Sequence, residues 1–269
     1  MTKQRMTQHI VFSLIVLGAA SGFAADQKSL GYKDTPMIPG TQWHVHDGDR
    51  PQPRVITSGK TFSDMAPAPS DAVVLFDGTD FSKWQGEKGE VKWNLENGYM
   101  ETTKTGRIRT KDEFGDFQLH LEFATPVKVE GSGQGRGNNG VNIFGRYEIQ
   151  VLDSYNNKTY PDGQAGAIYA QTPPLVNASR GPGEWQTYDI IFEAPKWEGD
   201  TLVKKAYATV LHNGVVLHHR REIMGTTQHR AAPAYGKPQE KGYIELYEHG
   251  NPVRFRNIWI RPLGEYDKP

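Results

Sequence analysis

Phe117-Gln118-Leu119-His120-Leu121-Glu122-Phe123 alternates apolar and polar side chains without a break. Successive side chains of an extended strand point to opposite faces, so this stretch predicts a strand that buries Phe117, Leu119, Leu121 and Phe123 and turns Gln118, His120 and Glu122 the other way. The same texture continues on both sides of it. From Ala72 onward short apolar runs are bounded by turn residues, the pattern of an all-β domain with few helices. Strands are expected at 73–76, 107–110, 116–124, 166–170, 186–193, 242–249 and 253–261. Asn97-Gly98 lies between the runs 91–95 and 99–102, and Asn213-Gly214 between 207–211 and 215–218. That dipeptide supplies the positive φ angles of a two-residue hairpin. A third hairpin is expected at Gly145-Arg146, joining 141–144 to 147–151. No internal repeat is visible.

Residues 1–24 read as an export signal: Lys3 and Arg5 give a basic start, Ile10 to Ala20 an apolar stretch, and Gly22-Phe23-Ala24 a small-residue cleavage site. The expectation is a periplasmic or extracellular protein whose mature form starts near Ala25. The apolar stretch is too short to span a bilayer, so no membrane span is expected. Residues 25–70 are rich in proline, glycine and charge, which forbids long helices and predicts an extended arm. Trp43, Val45, Val55 and Ile56 give part of that arm something to pack with. Residues 71–269 then form one β domain, within the size that a single sandwich reaches. The 31 basic and 31 acidic residues cancel, which gives nucleic acid no reason to bind. With no cysteine there is no disulfide, so stability rests on apolar burial. Nothing in the sequence speaks to oligomeric state.

Parity sorts the remaining strands as well. Ile149 and Val151 should be buried while Glu148 and Gln150 face out; Asn142 opposes Val141 and Ile143; Ile244 and Leu246 are buried, leaving Glu245, Tyr247 and His249 on the polar side. Taken singly, each polar residue is what any solvated sheet face carries. Together they form a set of carboxylates, amides, a tyrosine and a histidine, suited to sugar hydroxyls that both donate and accept.

Several linked blocks carry a resemblance. Val74-Leu75-Phe76-Asp77-Gly78, Phe114 to Phe123, Asn138-Asn139-Gly140-Val141, Gly145 to Asp153, Gly166-Ala167-Ile168-Tyr169, Gly183 to Asp189 and His249 to Trp259 occur in order over roughly 72–263. They resemble the 3-keto-disaccharide hydrolase family. The resemblance implies a jelly-roll β-sandwich of the concanavalin type and a substrate already oxidised to a ketone at C3 of a glucosyl ring by a separate dehydrogenase. Such a ketone acidifies the C2 proton, so a base can start an elimination that expels the glycosidic oxygen before water adds. A divalent metal on the ketone oxygen would stabilise the enolate.

Carried onto this chain, the resemblance implies His249 as base or metal ligand and Glu148 and Glu122 as ligands or acid–base partners, the metal pair being Glu148 and His249. Gln150, Asn142, Asn139, Tyr247, Glu245 and His120 are the expected hydroxyl contacts. Glu245-Leu246-Tyr247-Glu248 departs from the Leu-Gln-Asp expected before the His-Gly pair, which points to a different pocket edge. Two other readings stay open. Glu148 to Asp153 also looks like the carboxylate strand of a retaining glucanase, although residue 150 is an amide and 153 has the opposite parity. A lectin-like module without chemistry is the other. Three smaller signals complete the survey. His44 to Asp49 reads as a polar loop and not a metal site, Gly131 to Gly137 as a lip beside the site and not a phosphate cradle, and His218-His219-Arg220-Arg221 as a solvated edge.

Overall fold

Phe117–Ala124 runs through the middle of an eight-stranded antiparallel sheet, with Gln186–Glu193 on one side and Arg254–Pro262 on the other. The structure, a computed structural model, describes residues 30–59 and 64–264. From one edge the strands run Val215–Glu222, Tyr207–His212, Gln186–Glu193, Phe117–Ala124, Arg254–Pro262, Tyr99–Glu101 and Asn94–Glu96, while Val73–Phe76 pairs with the far half of Arg254–Pro262. A second sheet of five strands runs Trp84–Gly86, Ile108–Thr110, Ile244–Leu246, Asn139–Ile143 and Tyr147–Val151. The architecture is the expected all-β jelly-roll sandwich.

The sheets meet through the apolar parity sets. Phe117, Leu119, Leu121 and Phe123 are fully buried, as are Tyr188, Ile190 and Phe192 beside them. Opposite them lie Val141, Ile143, Tyr147, Ile149 and Val151. Phe192 meets Phe144 and Tyr147 at ring-centroid distances of 5.1 and 5.8 Å, and the Tyr188 hydroxyl donates across the core to the Gln150 carbonyl at 2.8 Å. Both Asn-Gly pairs turn as expected, with φ of 48° and 76° at 97–98 and 50° and 76° at 213–214. His218 is buried, and the next three residues are exposed on an edge strand.

Two expected strands change. Residues 166–170 form no strand; Gly166 and Ala170 take positive φ, and Ile168 makes only isolated bridges to Ile149 and Thr172. The segment nevertheless covers the free edge of Tyr147–Val151, through Gln150 N–H to Ala167 O (3.0 Å), Gly166 N–H to Gln150 O (2.8 Å) and Tyr169 N–H to Glu148 O (3.0 Å). The 242–249 strand shrinks to Ile244–Leu246, and the chain then bends through His249 and Gly250.

The arm packs down. Arg54–Val55 pairs in parallel with Val176–Asn177, and Ile38 and Val45 are fully buried in a small second core with Ala170. His44 to Asp49 is therefore no solvated polar loop: Val45, His46 and Asp47 are buried. The expected export signal lies outside the described residues. Among the described residues no helix is long and apolar enough to cross a membrane.

Glu122 and His120 do not reach the expected site. Their parity is as read, but their strand belongs to the eight-stranded sheet, so they occupy the outer face opposite the core. Glu122 is fully buried there under residues 64–66; it accepts from Arg256 Nε at 2.7 Å, Asn257 Nδ2 at 3.0 Å and the Met65 N–H at 2.6 Å. His120 Nδ1 lies 2.8 Å from Asp189 Oδ1, and its ring stacks on Trp259 at 5.1 Å. Removing one partner of a buried ion pair leaves the other charge uncompensated. Glu122→Ala should thus lower the unfolding free energy by about 3–5 kcal/mol in chemical denaturation, and the folded fraction should keep its specific activity.

Candidate functional site

Because Tyr147, Ile149 and Val151 enter the core, Glu148 and Gln150 must leave the sandwich on the outer face of the five-stranded sheet. Register then sets their neighbours. Glu148 pairs with Asn142 and Asn142 with Glu245, giving one polar row across three strands. Gln150 pairs with Gly140, to whose carbonyl the Tyr247 N–H donates at 3.0 Å, giving a second row. Gly140 is glycine for a spatial reason: a Cβ there would run into the Glu148 carboxylate, which leans over it.

Irregular segments raise walls around this floor. Gln134 comes from the glycine-rich stretch and Asn138 from just after it, Tyr160 from the turn before Pro161–Gly163, Tyr169 from the edge-covering segment, Thr227, Gln228 and His229 from the link after Val215–Glu222, and Tyr247 and His249 from the end of the shortened strand. With Glu148 and Gln150 they enclose a cavity of about 390 Å³, in the range of small-molecule sites. The glycine-rich stretch is pinned: the Gln134 amide donates to Gly163 O at 2.8 Å, and Gly133 and Asn157 exchange backbone and side-chain bonds.

Glu148 sits in this cavity largely out of water, and burial pushes its carboxyl up to about 8; Arg107 opposes the shift and Glu245 adds to it. Amide side chains line the floor beside it. Gln134 is oriented by its bond to Gly163 O, and Asn138 by its amide donating to Gln134 O at 2.8 Å. Their side-chain oxygens thus face Gln150, whose amide nitrogen donates to both at 3.0 and 3.1 Å. That orientation also sets the Gln150 oxygen 2.9 Å from Glu148 Oε1 and 3.1 Å from the Asn139 carbonyl, which has no proton to give; with the amide turned over, its nitrogen donates to both of those oxygens instead.

His249 is exposed on the opposite rim. The cavity wall behind it lowers its pKa by desolvation, with Glu248 opposing, which leaves the imidazole neutral at pH 7. Tyr247 stands edge-on to it at 5.8 Å, and its hydroxyl oxygen accepts from Asn142 Nδ2 at 2.6 Å, which frees the phenolic proton for a ligand. Arg107 caps the Tyr247 ring at 4.9 Å.

Glu148, Gln150, Tyr247 and His249 thus line one cavity, with Asn142 beneath Tyr247. Glu245 lies one strand further, 3.6 Å from Arg107 in an adjoining hollow with Glu87, Arg109 and Tyr243, so it does not line the main cavity. Asn139 shares the parity of Val141 and Ile143; it points inward and its Oδ1 accepts from the Gly140 N–H at 2.8 Å. Asp153 is held by Arg136 at 2.6 Å beside a different hollow, so no paired-carboxylate strand forms with Glu148. Tyr160, Thr227 and His229 carry no signal in the sequence, since strand parity says nothing about irregular backbone, and Tyr169 stands there only as the end of one family block. Among the described residues no group of three or more His, Asp or Glu side chains is placed to hold a metal. Glu148 and His249 alone offer two donors, short of a closed protein set.

A model of the 3-keto-α-glucoside-1,2-lyase-like domain matches residues 71–261. The chain belongs to that family. It is 22% identical over 245 residues to a 3-keto-disaccharide hydrolase of Bacteroides thetaiotaomicron, covering 74% of this chain and 82% of the relative. Among solved structures it is similar to a protein of Parabacteroides distasonis provisionally described as a glycosyl hydrolase, at 45% identity and a TM-score of 0.72, covering 79% of this chain and 93% of that one. A second protein of that organism with the same description matches at 25% identity and a TM-score of 0.54, covering 71% and 99%. The family match begins at residue 71, so the arm lies outside it.

The Gly140 approach gives a test that needs no substrate. In Gly140→Ala the new methyl group displaces the Glu148 carboxyl toward water. A carbon-13 titration of that carboxyl should then move from near 8 toward the ordinary glutamate range, with a melting temperature within a few degrees of wild type.

Proposed function

We propose that this protein cleaves 3-keto-glycosides by elimination and rehydration, with His249 as base and protonated Glu148 as acid. The observation that carries the proposal is a single cavity with a buried carboxyl, Glu148, on its floor and an imidazole, His249, on its rim, the first raised and the second lowered by desolvation. Groups whose environments push their pKa values apart are suited to opposite proton-transfer roles. Family membership supplies the substrate class.

The C3 ketone makes the C2 hydrogen acidic. His249 takes that proton, the C2 electron pair forms the C1–C2 double bond, and the C1–O bond breaks as the leaving oxygen takes the Glu148 proton. Water then adds at C1 and returns a proton to the Glu148 carboxylate, while C2 regains the proton held on His249. Both residues end as they began. Tyr247, with its oxygen already engaged by Asn142, donates to a substrate oxygen. Every step closes on side chains of this chain, so none is routed through a metal.

Incubation with a 3-keto-glucoside and with its unoxidised parent, reading the released aglycone, decides the matter. Release from the keto compound alone is expected. Release from the parent alone overturns the elimination reading. His249→Ala should abolish release with little change in thermal stability, since an exposed rim residue contributes little packing.

kcat/KM should fall on the acid side as His249 protonates, below its ordinary 6.5, and on the alkaline side as Glu148 ionises near 8. Stability follows the same carboxyl. A buried acid with a raised pKa favours the folded state at low pH and loses that advantage as pH rises toward 8. Glu148→Gln should therefore abolish turnover and raise the melting temperature relative to wild type at pH 9 but not at pH 5. Export through residues 1–24 belongs to the same proposal, and N-terminal sequencing of the mature protein should start near Ala25.

A further inference from the structure

We propose that His229 is a further catalytic residue, whose Nε2–H donates a hydrogen bond to the substrate's C3 oxygen as that oxygen gains charge, and that the N-terminal arm positions it. The inference rests on the keto-glycoside reading above.

The tautomer follows from a chain of hydroxyls. Tyr160 O and Tyr169 O are 3.1 Å apart, and Tyr169 O is 3.1 Å from His229 Nδ1. Burial drives both phenols upward, so both stay protonated, and the buried Tyr160 hydroxyl has the Tyr169 oxygen as its one hydrogen-bond partner among the described residues, so Tyr160 is the donor of the pair. Tyr169 then gives its own proton to His229 Nδ1. A neutral imidazole that accepts at Nδ1 carries its hydrogen on Nε2, the nitrogen left for a ligand. Burial lowers the His229 pKa, and His46 and Arg230 lower it further, so the ring is neutral. A neutral imidazole that polarises a carbonyl is an established catalytic device. No proton is transferred; the bond strengthens as the C3 oxygen becomes enolate-like.

The ring's position comes from outside the family domain. His46 of the arm is fully buried, its N–H and Nδ1 held by the Asp162 carboxylate at 2.9 and 3.2 Å. Its ring stacks on His229 at 5.1 Å and packs against Tyr160 at 4.0 Å and Tyr169 at 4.8 Å. Tyr32 meets His229 edge-on at 5.7 Å, while Arg230 lies over Tyr32 at 4.2 Å and pairs with Asp34 at 2.6 Å. The backbone bearing His229 belongs to no strand, so these contacts and Thr227, whose hydroxyl accepts from the Glu148 N–H at 3.0 Å, fix it over the cavity.

The test uses the full chain. Nitrogen-15 NMR of the substrate-free protein should show His229 as the Nε2–H tautomer at pH 7, and Tyr169→Phe should mix in the other. With a 3-keto-glucoside, His229→Ala should lower kcat about 100-fold, the usual loss for one such donor, with KM within about threefold. His229→Gln, which keeps an N–H, should recover about tenfold of that. Arg230→Ala, which removes the Asp34 ion pair and the cation over Tyr32 that help tie the loop to the arm, should lower kcat about tenfold without a comparable fall in melting temperature. An Nδ1–H tautomer in the wild type, or full turnover by His229→Ala, overturns the inference. A wild type that leaves the keto-glucoside intact removes the parent reading instead, and this one with it.

Discussion

Three backbone hydrogen bonds between Tyr147–Val151 and the irregular residues 166–169 hold the cavity together. An edge strand must find partners for its outer N–H and C=O groups, and here a loop supplies them where another strand would. A further strand would have continued the sheet as a flat face. The loop instead brings Tyr169 beside Glu148 and, through Asp162 and Tyr160, gives the arm a surface to pack against. The acid, the aromatic wall and the arm all hang on that edge.

The consequence for Glu148 is electrostatic. On an open sheet face a glutamate is solvated and charged. Enclosed by Gln150, Tyr169, Tyr247 and the Thr227 segment, its charged form loses hydration without gaining an ion pair among the described residues, and the proton stays. Desolvation by all of these walls raises the carboxyl, which makes its proton a property of the whole enclosure and not of one contact.

The arm changes how the domain is understood. Its proline content forbids helix, which the sequence makes plain, but its burial depends on shape matching to a surface that exists only after the sandwich has formed. Ile38 and Val45 fill a small apolar seat beside Ala170, and His46 finds Asp162, distant in the chain. Such long-range partners leave no periodicity behind, so the run His44 to Asp49 reads, from its composition, as a polar loop.

Strand parity is legible in the sequence wherever the backbone is extended, because side-chain alternation is a local property of extended backbone. It put Glu148, Gln150, Asn142 and Tyr247 on an outer face and Phe117, Leu119, Leu121 and Phe123 in the core. Parity states which side of a strand a residue takes, not which sheet the strand joins. Glu122 and His120 have the right parity on the wrong sheet, and Asn139 lies one residue out of phase with Asn142. Strand order, the burial that protonates Glu148, and the irregular segments that bring His229 and His46 to the cavity were decided by tertiary structure alone, since each depends on contacts between residues far apart in the chain.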